Sequence, residues 1–195
     1  MDFNKFVHEC KTGDMLLCSG TKWYSRIIEW WLKSPISHVG MIYRDLHTAE
    51  IYLLQSELRD GAQGVRLTPI GAVLDDYKMG RYRALYLRKL EYKRNLQFHN
   101  IMKYILRVTL HTRYDDDPLD WLKIVIKHNF GNIHRTNEFI CSALVAFCYI
   151  QFGFLDKDVP WSVLTPNMFS SCNNVLNFNC NLSNDTMILL KLINK

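Results

Sequence analysis

Between residues 13 and 90 apolar side chains come in short runs or at every second position, and beyond residue 92 they come at every third or fourth. That change of period predicts a β-rich half followed by a helical half. Residues 1–12 read as a short helix or arm, and Gly13-Asp14 turn the chain into Met15-Leu-Leu-Cys18, a first buried strand that Ser19-Gly-Thr21 breaks. Residues 22–33 follow as an amphipathic helix with Thr21 as its cap. Trp23, Ile27, Trp30 and Trp31 gather on one side of it, with Lys and Arg on the flanks. Such a stripe is ordinarily core; the rival reading is an aromatic lip that meets an acyl chain or a membrane surface. Ser34-Pro35 ends the helix, and Ile36-Ser-His-Val-Gly-Met-Ile-Tyr43 is a strand whose alternation sends His38, Gly40 and Ile42 one way. Residues 44–48 turn the chain back into Ala49-Glu-Ile-Tyr-Leu-Leu-Gln-Ser56, an antiparallel neighbour. After the loop 60–64 come the strand Val65–Thr68 closed by Pro69, a helical or looped connection over 70–80, and a strand from Tyr82 to Leu90.

In the second half, Leu96, Ile101, Ile105 and Val108 mark one helix and residues 120–128 another, with turn chemistry at Tyr114-Asp-Asp-Asp-Pro118 between them. Residues 137–152, Asn-Glu-Phe-Ile-Cys-Ser-Ala-Leu-Val-Ala-Phe-Cys-Tyr-Ile-Gln-Phe, are apolar on nearly every turn, so this helix is buried; Thr136 or Asn137 caps its start and Gly153 stops it. Residues 161–170 give a loop with one turn of helix, and 186–192 a last strand. No repeat or linker interrupts this, and the reading is a single α+β domain over 1–195.

Composition narrows the function classes. Hydrophobic residues at 48% and aromatics at 13% suit a packed globule. The formal net charge of +5 is spread along the chain without a basic run, which argues against a nucleic-acid partner and leaves attraction to anionic headgroups open. The six cysteines form no CxxC pairs, and the start Met-Asp-Phe-Asn-Lys lacks a signal peptide's apolar stretch, so reduced thiols in a cytoplasmic setting are expected. The apolar runs are too short or too interrupted to span a bilayer.

Cys141 falls in the first turn of the buried helix, where free N–H groups and the helix dipole favour thiolate. Two readings stand side by side there, because Cys141, Leu144, Val145 and Cys148 share one helical face and a cysteine on such a face is usually core. His38 on a strand and Gln55 near the end of the next strand supply a base and a group to orient it. Gly40 leaves room for something to approach His38. Neither a GxSxG elbow, a P-loop, HExxH nor a metal-type Cys/His spacing occurs, and Asp115 to Asp117 lack the spacing and glycine of an EF-hand loop, so neither cofactor nor metal is expected.

In their order, Gly13-Asp14, Ile36-Ser-His38-Val-Gly40-Met-Ile, Tyr52-Leu-Leu-Gln55-Ser, Gly64-Val-Arg-Leu-Thr-Pro69, Phe139-Ile-Cys141-Ser-Ala-Leu-Val-Ala and Leu164-Thr-Pro166 resemble the circularly permuted NlpC-type papain-like proteins. This is the YiiX-like group, with members in poxviruses and other large DNA viruses, and the resemblance covers roughly residues 12–170, with His before Cys as its distinguishing order. It implies an antiparallel sheet against helices with the nucleophile at the start of a core helix. It further implies hydrolase or acyltransferase activity on an amide or ester of a peptide or lipid-type substrate, and, for a viral chain, a place in the host cytoplasm or virion. Carried over by position, Cys141 is the nucleophile, His38 the general base and Gln55 the third polar residue, where relatives commonly have Glu; Glu57, two positions on, is a substitute. Ser37, Gly40 and Trp31 are the expected substrate contacts. The neutral Gln55 keeps a second role in view, an inactive papain-like protein with a structural, virion-associated or ligand-binding task. A third is peripheral membrane contact through Trp23, Trp30 and Trp31. Residues 91–135 match no motif and read as a lineage-specific helical cover.

Overall fold

The computed structural model describes residues 1–59, 62–110 and 141–189. The predicted helix over 120–128, the turn at 114–118, the caps Thr136 and Asn137, and the end of the last strand lie outside the described residues.

β1 (Met15–Gly20) is buried over its whole length and forms the centre of the sheet. Its alternate side chains feed two separate cores, Met15 and Leu17 on one face, Leu16 and Cys18 on the other. A run of consecutive apolar residues is what a strand covered on both faces requires. β2 (His38–Arg44) and β5 (Tyr82–Arg88) flank β1, each antiparallel to it. β3 (Ile51–Arg59), β4 (Ala62–Pro69) and β8 (Thr186–Ile188) complete six strands in the order β4-β3-β2-β1-β5-β8, every pairing antiparallel. A separate two-stranded pair joins β6 (Leu90–Glu91) to β7 (Asn181–Leu182). The mixed α+β class with an antiparallel sheet against helices is therefore the observed architecture.

One face carries α4 (Leu96–Thr109) and α5 (Cys141–Gln151); Phe98, Met102 and Ile105 of α4 and Leu144, Val145, Cys148 and Tyr149 of α5 join Met15, Leu17, Val39, Met41 and Leu54. Each aliphatic side chain fully buried there stabilises the fold by about 1.5–3 kcal/mol. The other face carries α1 (Phe3–Glu9) and α3 (Ile70–Lys78), the latter resolving the connection at 70–80 as helix, with Phe6, Ile70 and Val73 packed on Leu16, Ile42, Leu53 and Leu85. The apolar stripe on α4 is rotated from the predicted one: Phe98 and Met102 turn inward, while Leu96 and Val108 are exposed.

α2 (Trp23–Leu32) departs most from expectation. The tryptophan stripe, of the two readings core or aromatic lip, is exposed, and the side facing the protein holds Ser25 and Glu29. Glu29 accepts hydrogen bonds from Ser19 Oγ (2.9 Å) and Ser37 Oγ (3.3 Å) and pairs with Arg83. The helix starts at Lys22 without a side-chain cap, since Thr21 Oγ1 is spent on the carbonyls of Gly80 and Arg81. It ends at Lys33 in the left-handed region (φ 49°), where the Ser34 N–H returns to the Glu29 carbonyl.

Candidate functional site

β2 opens on His38, whose partner on β1 is Cys18. The half-buried ring places Nε2 2.7 Å from Gln55 Oε1 on β3. The orientation of that amide is fixed from behind. Gln55 Nε2 donates to Glu57 Oε1 (3.1 Å) and Thr68 Oγ1 (2.9 Å), and a carboxylate can only accept. Oε1 must then face the imidazole, so Nε2 of His38 carries a proton and Nδ1 is left as the basic nitrogen. Glu57 in turn pairs with Arg66 of β4.

Cys141 and His38 lie close enough to act on each other's proton affinity, and the Val39 and Ser142 backbone N–H groups act on the same sulfur. Burial alone would push this thiol up. The charge and hydrogen bond of His38, then those two N–H groups, outweigh it and draw the thiol below its ordinary value. For His38 burial pulls downward, and the charge and hydrogen bond of Cys141, then the Glu57 carboxylate and the Gln55 bond, lift the ring to about 9. Each group thus displaces the other in the direction that favours its charged form. The remaining cysteines provide the contrast. Burial raises Cys10 and Cys180 to about 11 and pushes Cys18 and Cys148 up as well, Cys18 also feeling the Cys141 charge.

The corner around the sulfur is held by a contact that the motif Leu164-Thr-Pro166 had hidden. Ser142 Oγ donates to the Leu164 carbonyl at 2.5 Å, tying the first turn of α5 to the short 3₁₀ turns Trp161–Val163 and Pro166–Phe169. Thr68 was also missed, although alternation along β4 sets it on the same side as Arg66.

Several expected contacts find other employment. Ser37 is buried, its hydroxyl accepting from the Gly20 N–H (2.9 Å) and donating to Glu29, so it is part of the α2 anchor. The space left by Gly40 is filled by Leu53: a Cβ there would lie 2.7 Å from Leu53 Cδ1. Trp31 turns outward with Trp23 and Trp30. Glu57 does not replace Gln55; it stands behind it and adds charge at one remove. Cys141 itself is only 5% exposed. A cavity among the described residues, lined by Arg88, Glu91, Phe178, Cys180, Asn181 and Leu182, lies toward the opposite end of β1 from the Cys18–His38 pairing.

No family model matches the sequence, and no curated protein does. In fold the chain is similar to the metalloprotein YiiX from Escherichia coli O157:H7, with a TM-score of 0.51 and 18% identity, over 71% of this chain. The matched part spans 64% of YiiX. Among the described residues no three His, Cys, Asp or Glu side chains gather into a metal-binding set. What the comparison establishes is therefore architectural: this chain has the mixed α+β fold that YiiX also has.

Proposed function

We propose that this chain is a cysteine-dependent hydrolase or acyltransferase of the permuted papain-like kind, acting on an amide or ester bond of a peptide or lipid-type substrate. What supports the reading is that Cys141 and His38, whose ring Gln55 holds at 2.7 Å, displace each other's proton affinities in opposite directions. His38 Nδ1 takes the thiol proton. The sulfur bonds to the acyl carbon as the carbonyl π pair moves to oxygen, and N–H groups near the start of α5 receive that charge. Collapse expels the amine or alcohol, which leaves with the proton from His38, and a thioester remains. Water, or an acceptor hydroxyl or amine in transfer, gives its proton to His38 and attacks the thioester carbon, and the sulfur departs as thiolate. Gln55 keeps the ring in the tautomer this needs, and Glu57 helps hold the imidazolium charge.

Alkylation by iodoacetamide with peptide mapping tests the proposal. Cys141 should react in neutral and mildly acidic buffer, where thiols of ordinary pKa are slow, and the rate should fall as pH drops through its lowered pKa. His38→Ala should shift that profile up toward the ordinary thiol range and slow labelling at neutral pH by about 10-fold or more. A folded native chain left unlabelled at Cys141, or an unchanged profile in His38→Ala, would sink it. The first result favours the second reading, a papain-like protein with a structural or ligand-binding role, which the 5% exposure of Cys141 and the neutral Gln55 both motivate.

A further inference from the structure

α2 is built inside out. Trp23, Ile27, Trp30 and Trp31 recur at i, i+4, i+7 and i+8 and so form one face, and they are 74%, 54%, 79% and 41% exposed. The opposite face carries Ser25 and Glu29, both buried. A helix of a water-soluble domain normally arranges these faces the other way, and a contiguous exposed aromatic patch marks a surface with a partner.

Charge indicates which partner. The one acid in α2 is Glu29, and it is turned inward and neutralised by Arg83. Arg26 within the aromatic face's border and Lys33 at the helix end are exposed, so the outward side of α2 itself, among the described residues, is aromatic and basic with no carboxylate of its own. Tryptophan prefers the headgroup level of a bilayer, where its apolar ring and N–H are both accommodated, and neighbouring cations add attraction to anionic lipid. At ten residues the helix is far too short to cross a bilayer, and no helix among the described residues is long and apolar enough to do so. It has the make-up of an element that lies in the interface plane.

We infer that α2 docks this protein onto an anionic lipid surface, with Trp23, Trp30 and Trp31 at headgroup depth and Arg26 and Lys33 facing the phosphates. Only residues 33–37 separate the helix from His38, so docking holds β2's first residue next to the membrane. The inference stands on the exposed face alone and does not require that Cys141 turn over a substrate.

The test is flotation with vesicles of phosphatidylcholine, with and without 30% or so phosphatidylserine, together with tryptophan emission. The full chain should float with the anionic vesicles with a blue-shifted emission, weaken as salt rises, and bind pure phosphatidylcholine at least about tenfold less. The double variant Trp23→Ser, Trp30→Ser should lose binding by at least about tenfold, whereas Leu96→Ser, which removes an equally exposed apolar side chain from α4, should not. Cys141→Ala should bind as the parent does, which separates this result from the enzymatic proposal. Absence of vesicle binding overturns the inference, as does undiminished binding by the tryptophan variant. So does a concentration-dependent dimer that the tryptophan substitutions abolish without any lipid binding, since a second copy would then be the occupant.

Discussion

Gln55 orients His38 by geometry, and the charge that an amide lacks comes from Glu57, one strand step further along the same side of β3. This division of labour makes a substitution that looks conservative costly. Gln55→Glu would set two carboxylates at the spacing now bridged by a 3.1 Å hydrogen bond, where they cannot both ionise cheaply. The single variant should be less stable than the parent above neutral pH and recover as the pH falls and one carboxyl takes a proton. Adding Glu57→Gln should restore stability, with a coupling of about 1–3 kcal/mol in a double-mutant cycle followed by thermal unfolding. Additive effects at pH 8 would show that the two side chains do not share one hydrogen-bonded unit. Gln55 and Glu57 were legible as candidates because period-2 alternation puts them on one side of a strand. Their order behind the imidazole was not, because it depends on Thr68 and Arg66, which arrive from β4.

At the scale of elements, strands and helices followed from periodicity, while the direction in which a face points did not. β1 and α5 were read correctly as buried, since a run that is apolar all round has nowhere else to go. For α2 the stripe was compatible with core or with an exposed lip, because spacing reports that an apolar face exists and says nothing of what covers it. Gly40 shows the same limit. It marks a close approach, and the side chain that approaches is Leu53 of the neighbouring strand rather than a ligand. Gly40→Ala would press a methyl to 2.7 Å from Leu53 Cδ1 and 3.1 Å from the Leu54 carbonyl, and is expected to cost about 1–3 kcal/mol in denaturant unfolding. Gly40→Ala with Leu53→Val should regain part of that, since only the Leu53 contact is relieved. Equal stability of parent and Gly40→Ala would mean that the two strands lie further apart than a 2.7 Å contact requires.

Across the whole molecule, polar contacts lock the Gly13-Asp14 turn to α5 and to the chain around Leu90 and Arg94. Tyr149 of α5 donates its hydroxyl to the Gly13 carbonyl at 2.8 Å, between residues 136 positions apart, and Asp14 next door accepts from the Leu90 and Lys11 N–H groups and from Arg94. Gly13 holds φ at +92°, a conformation that suits glycine and aims its carbonyl at the helix. Tyr149→Phe keeps the packing and leaves that carbonyl without its donor, so a loss of about 1–3 kcal/mol is expected, read as a drop in Tm of about 2–4 °C for each. A variant as stable as the parent would show that the contact is not one that ties α5 to the sheet. The amino-acid sequence by itself determined the order of elements, the buried character of β1 and α5, and the residue types able to do thiol chemistry, because each of these is set by neighbours within a few positions. Only the tertiary structure decided that Gln55 of β3 bonds the His38 ring of β2, that Glu57 stands behind Gln55, and that the tryptophans of α2 face outward. Those outcomes depend on which surfaces pack against which, and local periodicity carries no record of the partner.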